Sequence, residues 1–89
     1  MSLLKGVRVV EMGLWVAGPA AAGILADWGA EVVKIEMPKG DPMRKLFGAL
    51  SGSKEERCPP FELYNRGKKS LALDINHPDG LRLVKLLVA

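Results

Sequence analysis

An 89-residue chain is a single small domain or part of a larger one, since a chain of this length buries only about 60–65% of the surface that it exposes on unfolding. Its composition, with 26% charged and 48% hydrophobic residues, excludes an intrinsically disordered protein. The net charge of +3 comes from dispersed basic residues, so it favours a small phosphate-bearing ligand over nucleic acid, which binds to a dense basic stripe.

The cellular setting is predicted from cysteine and from the longest apolar run. The single cysteine, Cys58, cannot form an internal disulfide, which favours a reducing, cytoplasmic location. Lys5, Arg8 and Glu11 interrupt the N-terminal apolar run, so we expect no signal peptide. The longest uncharged run, residues 12–26, is shorter than the roughly 20 residues of a membrane span. We therefore predict a soluble protein without a membrane partner.

The first third of the chain has the pattern of a βαβ unit. A β-branched strand is predicted between Gly6 and Gly13. A helix is expected from about Pro19 to Trp28, because proline is favoured at the first helical position and Gly29 suits the left-handed residue that follows a helix. A second strand is predicted over residues 30–36. Strand, short helix and strand in this order predict a parallel crossover and an α/β fold.

The middle of the chain alternates between turns and short elements. Asp41 is expected to cap a short helix over residues 42–46. Residues 48–60 have the composition of an exposed loop, and residues 61–64 form a short apolar island. Alternating apolar residues predict a third strand over Ser70–Ile75.

The last predicted helix is capped by Asn76 or His77 and has Pro78 in its first turn. Its apolar surface is broad, and no Gly, Asn or Pro ends it. Its apolar residues are Leu81, Leu83, Val84, Leu86, Leu87 and Val88. We therefore expect the chain to be a truncated part of a larger domain.

Two common nucleotide-binding motifs do not fit the first loop. Gly13 and Gly18 are spaced like the glycines of a P-loop, but Pro19 stands where that motif requires Lys. The three-glycine dinucleotide fingerprint is missing, although Glu36 lies at the strand end where an acidic residue would bind a ribose. The residues by themselves predict a ligand site at the strand ends, of unknown specificity.

Several segments together resemble a known family. They are LKGVRVVE at residues 4–11, AGP at 17–19, LADWGAEVVKIE at 25–36, GDPMR at 40–44, NRGKKSLALD at 65–74 and PDG at 78–80. In this order they resemble the opening of CoA-transferase family III, the CaiB/BaiF type, which includes the α-methylacyl-CoA racemases. The resemblance covers the whole chain apart from the variable loop at residues 48–60.

The resemblance implies a Rossmann-like domain, of which residues 1–89 are the N-terminal part, and an interlocked homodimer. It also implies acyl-CoA and a carboxylic acid as substrates, with no permanently bound cofactor. In the transferases a catalytic Asp takes the acyl group as an anhydride and then forms a CoA thioester. That Asp, like the acid/base pair of the racemases, is expected beyond residue 89, so no catalytic residue is assigned.

The resemblance further implies which residues contact CoA. They are Val16, Ala17, Met37, Arg44, Leu73, Asp74, Ile75 and Asn76. Some transferases have Gln at the position of Val16, and an apolar Val lacks that hydrogen-bonding role. Met37 stands where some members have an Arg at the nucleotide end of CoA, so Lys39 or Arg44 is the expected replacement.

Simpler interpretations of these residues stay open. For Trp15 and Val16, packing in a wall is favoured over specific recognition. Arg44 fits a site residue and an exposed helix cation equally well. Lys68 and Lys69 fit a solvated turn, with a phosphate contact as the alternative.

Three further polar residues have mainly structural interpretations. Asp27 is unfavourable near a helix C-terminus, so we expect a cation such as Arg66 or Lys68 beside it, or solvent. Cys58 has no evident base nearby and is not expected to be catalytic. His77 is expected to lie at a helix cap, since a lone His makes a poor metal site.

Four functions remain open from the sequence. They are a CoA-transferase, which we favour, a racemase of the same family, a CoA- or nucleotide-binding module without catalysis, and a structural fragment that self-associates. The residues after Ala89 would separate the first two, because a transferase needs its Asp and a racemase needs a His and an acid.

Overall fold

The computed structural model describes residues 2–45 and 59–89. Its centre is a three-stranded parallel sheet of β1 (Arg8–Glu11), β2 (Glu31–Glu36) and β3 (Lys69–Ala72), in the order β1-β2-β3. The α/β class and the parallel βαβ unit predicted from the sequence are confirmed.

Within the described residues, three helices accompany the sheet: α1 (Ala17–Asp27), α2 (Pro59–Tyr64) and α3 (Pro78–Val88). A further helical turn begins at Met43, whose N–H donates to the Asp41 side chain at 2.9 Å, so the predicted cap is confirmed. The end of that predicted helix, Leu46, lies outside the described residues.

The predicted loop over residues 48–60 needs a correction at its end. Residues 48–58, including Cys58, lie outside the described part, but α2 begins at Pro59 and takes in the apolar island at residues 61–64. Proline at a helix start explains this boundary, because the N–H that it lacks has no partner there in any case.

The third strand is shorter than predicted. It ends at Ala72, because Asp74 starts a turn in which its side chain accepts from the Asn76 N–H at 2.9 Å. The backbone carbonyl of Asp74 accepts from the His77 N–H at 3.1 Å. His77, and not Asn76, then caps α3 by accepting from the Asp79 N–H at 3.1 Å.

Helix α1 packs on one face of the sheet through small residues. Ala22, Ala30 and Val32 form the centre of the core, with Val9 and Leu25 against it. The chain also approaches itself closely at the start of α1, where a Cβ on Gly13 would lie 3.0 Å from Gly18 Cα. This close approach explains the two glycines without a phosphate-binding role.

The opposite face of the sheet is apolar and lies near α3. Leu71 and Leu73 line a groove of about 350 Å³ together with Leu83, Leu86 and Leu87. Within residues 2–45 and 59–89, no helix has the length and apolarity that crossing a membrane requires.

Candidate functional site

The carboxyl ends of the three strands meet at one edge of the sheet, here called the carboxyl edge. A small apolar cavity of about 130 Å³ opens there. It is lined by Met12, Leu14, Ile35, Met37, Leu73 and Ile75. Three of the predicted contact residues, Met37, Leu73 and Ile75, are therefore brought together by strands that are distant in sequence.

A more polar groove of about 250 Å³ also includes Met37. Its lining residues are Glu36, Met37, Pro38, Lys39, Gly40, Arg44, Ser70 and Ala72. Because Met37 lines both spaces, it stands between an apolar cavity and a groove that carries two cations. Gly40 has a φ of +85°, a left-handed conformation that lets the loop turn tightly beside Arg44.

Arg44 is held by an acidic partner in this groove. Its Nε and Nη2 atoms donate to Glu36 Oε2 and Oε1 at 2.8 and 2.6 Å, and its guanidinium stacks 3.9 Å from the centroid of the Phe61 ring. The Arg44 hydrogen bond is the main reason that the pKa of Glu36 falls from 4.5 to about 2, and burial partly opposes it. The same contact raises the pKa of Arg44.

Because of this pairing, the two cations of the groove differ in how far their charge is neutralised. The charge of Arg44 is largely neutralised by Glu36. Lys39 is exposed and forms no ion pair with any carboxylate in the described part of the chain. Glu36 itself uses both oxygens, since Ser70 Oγ also donates to Oε1 at 3.2 Å, so its carboxylate is not directed at a ligand.

Val16 and Ala17 lie at the start of α1, next to Trp15. Trp15 and Val16 are 47% and 41% exposed, so neither residue packs in the interior. Val16 occupies the N-cap position without a side-chain hydrogen bond to the helix. Trp15 has a φ of 65° and donates its N–H to Asp41 Oδ1 at 3.2 Å.

Asp74 and Asn76 belong to the turn between β3 and α3, and both are exposed. The Asp74 side chain is used within the turn, and its carbonyl lies against α3, where a Cβ on Gly80 would come within 2.0 Å. The structure thus fixes the backbone of this turn but does not place these two residues in the apolar cavity that Leu73 and Ile75 line.

A buried group of charges beneath the carboxyl edge was not predicted. Glu11 pairs with Lys34 at 2.9 Å and with Lys68, and both lysine side chains are 2% exposed. The solvated turn predicted for Lys68 is wrong, since its ammonium donates to Glu11, Pro19 O and Asn65 Oδ1. The alternative phosphate contact stays a prediction. Burial lowers the pKa of Lys68, and the contact with Glu11 opposes that shift.

One signal for this buried group exists in the sequence. Glu11 and Lys34 each lie two positions after a valine that faces α1, Val9 and Val32, so the strand period of two places both charges on that same inward face. Lys69 behaves as predicted for a solvated residue, because it is 73% exposed and pairs with Glu31 at the surface.

Asp27 also finds its partner. Arg66 Nε donates to Asp27 Oδ1 at 3.1 Å, and both side chains are largely exposed. This pair confirms the first of the two cations predicted for Asp27.

Residues 4–89 match the model of CoA-transferase family III. The chain belongs to this family. It is 39% identical over 88 residues to a (R)-2-hydroxy-4-methylpentanoate CoA-transferase of Clostridioides difficile, which covers 98% of the chain and 22% of that relative. It is 45% identical over 86 residues to a succinyl-CoA–D-citramalate CoA-transferase of Chloroflexus aurantiacus, with 96% and 21% covered.

Solved structures of similar proteins have the same fold. A CaiB/BaiF family protein from Brucella suis matches with a TM-score of 0.86 and 36% identity, covering 98% of the chain and 23% of that protein. A hypothetical protein from Mycobacterium tuberculosis matches with a TM-score of 0.82 and 33% identity, covering 98% and 22%. The family III chain thus spans about a fifth of the length of these relatives.

Proposed function

We propose that this chain forms part of the CoA-binding domain of an enzyme that transfers CoA between carboxylic acids. The family match over residues 4–89 carries the proposal. Both curated relatives described above are named CoA-transferases, which favours transfer over racemisation. The substrates are an acyl-CoA and a free carboxylic acid, and the enzyme works in the cytoplasm as an interlocked homodimer with a Rossmann-like domain, without a permanently bound cofactor.

The chemical step belongs to an Asp outside this chain. Its carboxylate attacks the thioester carbonyl and expels CoA as a thiolate, which leaves a mixed anhydride. The thiolate then attacks the Asp carbonyl of that anhydride, so that the donor acid leaves and an enzyme-bound CoA thioester remains. The incoming carboxylate takes over CoA by the reverse of these two steps.

The carboxyl edge has the properties that CoA binding requires. CoA combines a weakly polar pantetheine arm with a phosphate-rich nucleotide end, and the edge combines an apolar cavity with a cationic groove. We assign the cavity lined by Met37, Leu73 and Ile75 to the arm and the groove to the phosphates. Lys39 is the phosphate partner in this assignment, because Glu36 already neutralises Arg44. Val16 and Ala17 approach the ligand from the segment that follows β1. The backbone of Asp74 and Asn76 approaches it from the turn that follows β3.

The transfer reaction is tested on the full-length gene product that contains this chain. After incubation with an acyl-CoA donor and no acceptor, mass spectrometry of the intact protein is expected to show an acyl or CoA adduct that disappears when an acceptor acid is added. Absence of any adduct and of any CoA transfer, with a range of acyl-CoA donors, would overturn the proposal.

The binding assignment is tested by calorimetric titration of the chain with CoA. Lys39→Ala is expected to weaken CoA binding about five- to tenfold, since a charge-assisted phosphate contact at an exposed site contributes on the order of 1 kcal/mol. Lys5→Ala is the matched control, because Lys5 is also exposed but lies before β1. Equal effects of the two substitutions would show that only net charge matters.

A further inference from the structure

Two buried charged residues connect the loops of the carboxyl edge from below. The first loop, residues 13–16, follows β1, and the second loop, residues 37–44, follows β2. Lys34 Nζ donates to the carbonyl of Gly13 at 3.1 Å and lies 3.0 Å from Asp41 Oδ2. Asp41 belongs to the second loop, and its Oδ1 accepts from the N–H of Trp15 in the first loop.

Asp41 also organises its own loop. Its N–H donates to Glu36 Oε2 at 2.9 Å, and its Oδ1 accepts from Met43 N–H at 2.9 Å. The Asp41 side chain is completely buried. One carboxylate therefore fixes the backbone of both loops. These loops carry the CoA contacts that are predicted after β1 and after β2.

The backbone of Trp15 shows that the first loop needs this support. Its φ of 65° lies in the left-handed region, which is disfavoured for a bulky side chain and persists only where the surroundings determine it. Packing does not supply that constraint, because Trp15 is about half exposed. The Trp15 N–H instead donates to Asp41 Oδ1 at 3.2 Å, a contact across 26 positions of the chain that can supply this constraint.

The Lys34–Asp41 pair is poorly explained by stability alone. Asp41 Oδ2 is buried without a hydrogen-bond donor among the described residues, and the ammonium of Lys34 is close to it without being aligned for such a bond. Desolvating two charges offsets much of their attraction, so a buried pair of this kind contributes little net stability. Its specific effect is geometric, because it links β2 to both loops.

We propose that Lys34 and Asp41 are positioning residues for the ligand: they hold the left-handed first loop in place and couple it to the second loop. The effect on the ligand rests on the proposed CoA binding, whereas the effect on the loop does not. The ligand contacts of Val16 and Ala17 and those of Met37 are then set by one buried pair, so disturbing it lowers affinity without removing a ligand contact.

The chain offers a matched control in Lys68. Its side chain is as buried as that of Lys34 and pairs with the same Glu11. Its other hydrogen bonds within the described residues go to Pro19 O and Asn65 Oδ1, so it donates to neither loop, although its charge is still attracted to Asp41 through space. The test compares Asp41→Ala, Asp41→Asn, Lys34→Met and Lys68→Met. Each variant is measured by the backbone amide resonance of Trp15, by CoA affinity and by unfolding in urea.

Asp41→Ala and Lys34→Met are expected to move the Trp15 amide resonance and to weaken CoA binding about tenfold, as loss of preorganisation does. Asp41→Asn keeps a neutral acceptor at Oδ1, so it is expected to fold and to give an intermediate effect of about threefold. Lys68→Met is expected to lower stability while leaving the Trp15 resonance and the CoA affinity of the folded protein unchanged.

Two results would overturn the inference. One is a Trp15 amide resonance that is unchanged in every folded variant of Asp41 and Lys34. The other is a loss of CoA affinity in Lys68→Met as large as that in the Asp41 variants. Both losses of affinity would then be explained by general destabilisation of the protein. If the unaltered chain and the full-length protein bind no CoA, the proposed function fails, and the Trp15 resonance still decides whether Asp41 holds the first loop.

Discussion

The two faces of the sheet differ in a way that reverses the usual pattern. The face toward α1 buries charges at its carboxyl end, where Glu11 and Lys34 are almost inaccessible. The face toward α3 carries leucines that stay exposed, and Leu86 of α3 is 65% exposed. A charge is buried where partners surround it, and an apolar side chain is exposed where nothing in the described residues covers it. The face toward α1, here called the polar face because it buries these charges, therefore determines the geometry of the site. The face toward α3, here called the apolar face, offers a surface that the described residues leave open.

The largest loss of stability is expected from a substitution of Glu11, on the face of the sheet that buries charges. Glu11→Ala leaves Lys34 and Lys68 buried without their shared carboxylate, which is expected to cost about 3–5 kcal/mol of unfolding free energy. The measurement is urea unfolding followed by circular dichroism. Asp27→Ala removes an exposed ion pair as the control and is expected to change the unfolding free energy far less. Similar losses in the two variants would contradict the difference between a buried and an exposed pair.

Acid is expected to weaken the polar face through Glu36. The pKa of this carboxyl is lowered to about 2 in the folded protein, so its contribution is complete above pH 4.5 and disappears as the pH falls toward 2. The contribution is at most about 3 kcal/mol, and screening at the half-exposed Arg44 reduces it. Unfolding free energies measured between pH 6 and pH 2.5 should fall less steeply in Glu36→Gln. Parallel pH profiles would contradict this assignment.

The apolar face depends on the close approach at the start of α3. A Cβ at Gly80 would lie 2.0 Å from the Asp74 carbonyl oxygen, so Gly80→Ala forces the backbone to shift. We expect a loss of about 1–3 kcal/mol, even though Ala is the better helix former. Lys85→Ala in the exposed part of α3 is the control and should change the thermal unfolding midpoint little. A stabilised Gly80→Ala protein would show that the helix can move away freely.

The smallest effects compare two residues of α3 that are two positions apart. Val84 is 7% exposed, and Val84→Ala is expected to cost about 1.5 kcal/mol for two buried methyl groups. Leu86→Ala removes a larger but exposed side chain, and its expected cost is below about 0.5 kcal/mol. Urea unfolding of both variants provides the measurement. A greater loss from Leu86→Ala would mean that the apolar face is covered in solution.

The order of elements and the family were predictable from the sequence because both depend on short segments. The β-branched runs that become β1 and β2, the Asp41 cap and the His77 cap act within a few residues. The predicted range of β3 was too long at its end. Leu73 and Ile75, the last residues of the alternating pattern, line the apolar cavity and lie beyond the strand. The motif order at residues 4–44 and 65–80 led to the family that the comparison confirms.

Local patterns along the chain therefore account for the α/β elements and for the membership of CoA-transferase family III. Whether each charged side chain is buried or solvated depends on long-range contacts. Lys68 and Glu11 meet across 57 positions of the chain, and Trp15 meets Asp41 across 26. Whether a lysine is solvated or buried depends on partners that the fold supplies, and no local pattern around Lys68 contains them. For the same reason the fold alone showed that Met37 separates the apolar cavity from the cationic groove, and that Arg44 already has a partner.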